Sequence, residues 1–216
     1  MASQRDVEGI TIGPDERPRC RWADASEDYR AYHDTEWGFP VSDDIRLFEK
    51  LTLEGFQSGL SWLTILRKRD AFRRAFAGFE PERVAGFSER DVERLLTDAG
   101  IIRHRGKIEA AINNAGRALE LIAAEGSLAA YAWSFEPAPR PAPLNHDQLA
   151  ALAATPESAA MARDLKRRGW RFLGPTTVYA FMQAMGLVND HLGGCHTHPS
   201  ADAARRAFTR PPRDGP

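Results

Sequence analysis

The chain is short of several things. Its 216 residues hold only two cysteines, Cys20 and Cys195. That excludes a disulfide framework, and a single bridge between them is unusual in a reducing compartment. No apolar run approaches the roughly 18 residues needed to span a bilayer, so no membrane partner is expected. The opening stretch "MASQRDVEGITIGPDERPR" lacks the apolar centre of a secretion signal, and the expected location is the cytoplasm. Neither charge sign is in excess: 29 Lys and Arg stand against 30 Asp and Glu, a net charge of −1. Bulk charge therefore gives no argument for wrapping nucleic acid. There is no internal repeat, and no ladder of strands punctuated by turns.

What remains reads as helix. A hydrophobic fraction of 43% fills an ordinary globular core. Ser42 is placed to cap a helix carrying Ile45, Phe48, Leu51 and Leu53. Ser88 precedes "ERDVERLLTDAG", with Val92, Leu95 and Leu96 on one face and Gly100 as the stop. "HRGKIEAAINNAGRALELIAAEG" is a long alanine-rich helix ending at Gly126, and "EPAPRPAP" is a connecting loop. Thr155, Pro156 and Glu157 form a cap, a first-turn proline and an acid matched to the helix dipole. The expectation is an all-α domain over 19–199, with disordered tails at 1–18 and 200–216. Locally basic runs, "RKRDAFRR", "RHRGK" and "RDLKRRGWR", leave room for a surface that follows phosphates.

Three constellations carry chemistry. "LKRRGWRFLGPTTVYAFMQAMG" joins two helices through a short turn, over about 156–186. Gly174, Pro175 and Thr176 open the second helix, whose unpaired backbone N–H groups suit an anion. Its simplest reading is an αα-hairpin; its functional reading is a helix-hairpin-helix that grips a DNA strand. "CRWADASEDYRAYHDTEWG" is rich in aromatics, with Trp22, Tyr29, Tyr32 and Trp37, and Glu54 follows within the apolar segment "LEGFQSGLSW", with Trp62 eight residues on. A buried carboxylate needs a partner, and aromatic walls with one acid compose a cation cage. Finally, Cys20 and His33 at one end and His191 and Cys195 at the other make the donor set of a closed structural zinc site. His196 and His198 compete as donors but are expected to be exposed tail residues.

Taken in order, "CRWADASEDYRAYHDTEWGFP", "LEGFQSGLSWLTILRKR", "DAGIIRHRGKIEAAINNA", "WSF" and "LKRRGWRFLGPTTVYAFMQAMGLVNDH" resemble the constitutive type I 3-methyladenine DNA glycosylases of bacteria, from Cys20 to Cys195. The resemblance implies an all-α helix-hairpin-helix glycosylase that excises 3-methyladenine from alkylated double-stranded DNA near the nucleoid and leaves an abasic site. It implies Glu54 as the residue that bonds the methylated base and acts in catalysis. Trp62 would stack on that base, and Trp22, Tyr29, Tyr32 and Trp37 would line its pocket. Leu60, beside Gly59, is implied as a wedge, with Gly174, Thr176 and Arg168 at the DNA. One structural zinc on Cys20, His33, His191 and Cys195 would join the two ends, in a monomer. The family does without a catalytic aspartate after the hairpin, which leaves Asp190 to orient His191. No lysine follows Lys166, an argument against lyase chemistry. The competing readings are a non-catalytic zinc-stapled DNA-binding protein and a metal-dependent hydrolase of another small substrate.

Overall fold

A computed structural model describes residues 8–212. In chain order it holds strands β1 (Ile10–Ile12) and β2 (Pro18–Cys20), then helices α1 (Glu27–Thr35), α2 (Asp44–Gln57), α3 (Trp62–Ala75), α4 (Pro81–Ala85), α5 (Glu89–Thr97), α6 (Arg105–Glu125), α7 (Leu128–Trp133), α8 (His146–Ala150), α9 (Pro156–Arg167), α10 (Pro175–Ala184) and α11 (His198–Ala207). The chain divides into two compact units. The first takes in residues 8–40, 137–153 and 182–209, and the second 41–136, 154–181 and 210–212. Among the described residues no helix is long and apolar enough to cross a membrane.

The first unit corrects both expected tails. Residues 8–18 are not a disordered tail, since β1 and β2 pair antiparallel with Ile10 opposite Cys20. The turn closes through Gly13 N donating to Arg17 O and Glu16 N to Gly13 O, each at 3.0 Å. The Arg19 guanidinium is buried between Asp15, at 2.6 Å, and Asp34, at 2.7 Å. Strands of three residues are too short to show an alternation. At the other end, residues 198–207 form α11, with Pro199 in its first turn. Residues 1–7 and 213–216 of the expected tails lie outside the described residues. Gly186 turns the chain at φ 75°, and a Cβ there would sit 2.4 Å from the backbone of Phe39 and Pro40.

The second unit is built around α2. Its cap is Asp43, which accepts from Arg46 N at 2.8 Å, one residue beyond the expected Ser42. Every residue from Leu47 to Phe56 is buried. Phe56, Phe72, Phe76 and Phe79 pack in sequence beside it, with ring centroids 4.8, 6.1 and 5.7 Å apart. Asp44 reaches the start of α7 and accepts from Leu128 N and Ala129 N at 3.0 and 2.8 Å. The expected caps at Ser88, Gly126 and Thr155 are all present. The helix after Ser88 stops at Thr97, short of Gly100, because Asp98 already leaves the helical backbone. The chain after α9 reverses through Gly169, at φ 84°, with Trp170 N donating to Leu165 O at 3.0 Å. Asn114 on α6 then clamps the turn, accepting from Arg171 N at 2.8 Å and donating to Arg171 O at 2.9 Å.

Gly186→Ala tests the tightest of these turns. It adds left-handed strain and a backbone clash, and the expected loss is about 2–4 kcal/mol in urea unfolding. Unchanged stability would show that the turn does not take this form.

Candidate functional site

The first unit holds a buried donor cluster. Cys20 ends β2, His33 lies on α1, and His191 and Cys195 lie on the chain after α10. All four are buried, and their ligand atoms lie within 4.8 Å of one another. Each imidazole is oriented from outside. His33 Nδ1 faces Asp34 Oδ1 at 2.8 Å, and His191 Nε2 faces the carbonyl of Trp37 at 2.9 Å. A carboxylate and a carbonyl only accept, so these nitrogens carry the protons. That leaves the lone pairs of His33 Nε2 and His191 Nδ1 facing each other at 3.1 Å, with Cys195 Sγ 3.5 Å from the former. Two lone pairs and two sulfurs pointed at one spot call for a cation there.

The electrostatics agree. Cys20 holds its proton more tightly than a free thiol, because Cys195 and burial both favour it, whereas the bond from Cys20 lowers Cys195. Burial lowers His191. Burial alone would raise Asp34, but Arg19 and His33 outweigh it and hold the carboxyl at about 2. Leu192 N points at Cys20 Sγ from 3.4 Å. Asp190 does not orient His191: its carboxylate takes Arg140 and Gln183 Nε2, the latter at 2.8 Å. His196 and His198 are not exposed tail residues. His196 Nε2 lies 3.2 Å from Asp34 Oδ1, and His198 opens α11, its carbonyl accepting from Asn189 at 3.0 Å. Around the cluster, Trp22 meets Tyr29, His33 and Trp37 edge to face at 5.1, 5.2 and 5.1 Å. Tyr32 is buried on the same helix as His33.

The second unit holds the other constellation. Glu54 lies near the end of α2, and Trp62 is the first residue of α3, which Ser61 caps through Thr64 N at 3.2 Å. Lys50, one turn before Glu54, completes the group. Its Nζ is 2.7 Å from Glu54 Oε1 and 3.1 Å from the centroid of the Trp62 ring. The Lys50 and Glu54 side chains are only 6% and 5% exposed. Carboxylate and indole face thus hold one ammonium between them. Lys50 is not singled out by aromatic or carboxylate content; the i,i+4 spacing in "KLTLE" is its only signal in the sequence.

Leu60 is 42% exposed in the turn after α2, next to Gly59 at φ 83°. That turn is tethered by Lys107, which donates to Phe56 O and Ser58 O at 2.9 and 2.6 Å; burial lowers the Lys107 pKa. Gly174 accepts from Val178 N at 2.9 Å and so opens α10, with Thr176 in its first turn. Arg168 is partly exposed and paired with two carboxylates. Its guanidinium is tied to Asp164 and Glu125 at 2.8 and 2.7 Å and lies over the Tyr131 ring. Phe172, which sequence reasoning passed over, is 46% exposed in the hairpin turn with φ 59°.

Residues 22–198 match the family model described as methyladenine glycosylase. The chain is 46% identical over 189 residues to DNA-3-methyladenine glycosylase 1 of Escherichia coli, covering 84% of this chain and 97% of that one. It is 42% identical over 180 residues to the DNA-3-methyladenine glycosylase of Haemophilus influenzae, covering 82% and 96%. A crystal structure of a 3-methyladenine DNA glycosylase I superposes with a TM-score of 0.78 at 48% identity, over 84% of this chain and 100% of that one. A structure of the Staphylococcus aureus glycosylase, described as the basis of 3-methyladenine recognition, gives 0.79 at 38% identity, over 84% and 96%.

The donor cluster makes a firm expectation. Purified protein should carry one equivalent of a transition metal by elemental analysis. Cys20→Ser should lower that content severalfold and reduce the melting temperature by about 10 °C. Metal-free protein with wild-type stability would remove the site.

Proposed function

The chain belongs to the methyladenine glycosylase family, and on that premise we propose that it is a monofunctional DNA glycosylase. It removes 3-methyladenine from alkylated DNA and leaves an abasic site. The observation that carries the reading is the seat formed by Glu54 and Trp62, which already holds a cation. Methylation at N3 gives the nucleotide a positive charge. A buried carboxylate and an indole face favour such a base over neutral adenine.

The base is reached by flipping its nucleotide out of the duplex, at a cost of a few kcal/mol. Stacking on Trp62 offsets part of that, about 1–3 kcal/mol. When the bond between C1′ and the base breaks, its electron pair passes to the base and cancels the positive charge. Water adds its hydroxyl to C1′ and gives up a proton. The leaving group departs neutral, so strong acid catalysis is not required. Glu54 bonds the base and stabilises positive charge on the sugar as it develops. Leu60, on the turn braced by Lys107, fills the gap in the stack. The first N–H groups of α10, with Gly174 and Thr176, hold a phosphate and set register. With Arg168 engaged by Asp164 and Glu125, the more exposed Arg167 is the better placed of the pair for backbone phosphate.

In the donor cluster the metal is zinc, as two thiol and two imidazole ligands favour. Four protein ligands leave no position for water, so the ion fastens Cys20 and His33 to His191 and Cys195 and takes no part in hydrolysis. The metal-hydrolase reading is the weaker one on that ground.

Incubation with methylated duplex should release free 3-methyladenine, detected by chromatography. Glu54→Gln should keep its circular dichroism spectrum and lose excision by about 100-fold in single turnover, a loss of electrostatic stabilisation. Near wild-type rates from that variant would sink the assignment of Glu54.

A further inference from the structure

We propose that Lys50 is a tethered competitor for the base seat, a built-in cation that occupies the pocket until a flipped base displaces it. The proposal rests on the assignment of Glu54 and Trp62 to the base. A stacked ring needs its atoms about 3.5 Å from the indole. The Lys50 ammonium already stands 3.1 Å from the centroid of the Trp62 ring. Base and ammonium cannot share that face. They also compete for the same carboxylate, since Nζ lies 2.7 Å from Glu54 Oε1.

The arrangement is poorly explained as a helix brace. A lysine one turn before a glutamate is the weaker order for an i,i+4 pair, because it runs against the helix dipole. The ammonium is desolvated in a buried position, where an unpaired charge is costly. A position of that kind is held by specific partners, and the two groups that define the seat are among them. The side chain is suited to leaving. Its flexible four-carbon stem lets Nζ swing off the ring while α2 stays in place.

Charge is conserved in the exchange. Glu54 faces an ammonium before substrate binding and a cationic nucleotide after it, so the buried carboxylate stays compensated until the glycosidic bond breaks. After the glycosidic bond breaks, the base is neutral and its hold on the carboxylate weakens. Lys50 is then tethered beside the seat at high effective concentration and returns to it. The device works against substrate and product alike, lowering the apparent affinity of both by the fraction of time the seat is filled.

Lys50→Met keeps the length and helix propensity of the side chain and removes the charge. The dissociation constant for free 3-methyladenine, read by tryptophan fluorescence, should fall about tenfold. The half-saturating concentration in single-turnover excision of methylated duplex should fall by a similar factor. A side chain that only supports the fold would move both the other way, and unchanged or weaker binding overturns the proposal. A crystal structure of the wild-type protein with 3-methyladenine tests it without any substitution. Nζ should have left the Trp62 face; a bound base with Nζ still over that ring overturns the competitor role. The two readings separate cleanly. Wild-type protein that releases no 3-methyladenine removes the glycosylase assignment and Lys50's role with it. Active wild type with no gain in Lys50→Met removes Lys50's role alone.

Discussion

A helix buried on every face cannot carry unpaired charge, and α2 carries three charges among the ten consecutive residues it buries. Glu49 is met by Arg73, whose Nε lies 3.0 Å from both carboxylate oxygens. Lys50 and Glu54 meet each other. The two solutions differ in what they allow. The Arg73 side chain is 42% exposed, so the Glu49 pair sits at the rim of the core and does structural work. The Lys50–Glu54 pair is wholly inside, and its cation lies on an aromatic face. A pair of the second kind is costly to build from fold stability alone, since apolar residues of the same volume would serve as well or better. The proposed base site would account for it, since that ligand brings its own charge.

The donor cluster in the first unit obeys the same electrostatic rule. Asp34 and the Trp37 carbonyl fix the protons of two imidazoles on their outer nitrogens and turn both lone pairs inward. Asp34 can do this because Arg19, buried beside it, keeps it ionised. The short hairpin of β1 and β2 serves that purpose: it places Arg19 and Cys20 next to each other in one strand, one for the outer ring of partners and one for the donor cluster. Residues that seem remote from any chemistry, such as Asp15, thereby act on the cluster through Arg19.

Much of this was legible in the sequence, and the misses share a cause. Helices with strong local end signals were readable: Ser88 with its reciprocal bond to Asp91, Thr155 with Ser158, and Gly126 at positive φ. The four clustered donors were readable from residue type, and the grouping of Glu54 with Trp62 from an acid in an apolar run beside an aromatic. What failed depended on partners far along the chain. The hairpin at Ile10–Cys20 is held by Arg19 reaching Asp34, fifteen residues on. α11 is anchored by Arg205 donating to the Leu187 carbonyl and Asn189 bonding Asp202. The pairing of Arg168 with Glu125, 43 residues away, is likewise invisible in the local run of basic residues. Lys50 could be paired with Glu54 from spacing alone, but nothing in the spacing says that a third residue, at the start of the next helix, lays its ring beneath the ammonium.

The two buried cation seats therefore differ in exchangeability, and coordination explains why. The cluster of Cys20, His33, His191 and Cys195 could enclose an ion with four donors, two of them imidazoles turned by outer partners, so release would require several groups to move together. The seat on α2 offers one carboxylate and one ring face, and its resident cation hangs on a flexible stem. A closed set of donors makes a staple; a two-sided set with a tethered occupant makes a site that another cation can enter. Both follow from the requirement that buried charge be compensated. What separates structure from function in this chain is the number of contacts that must break at once.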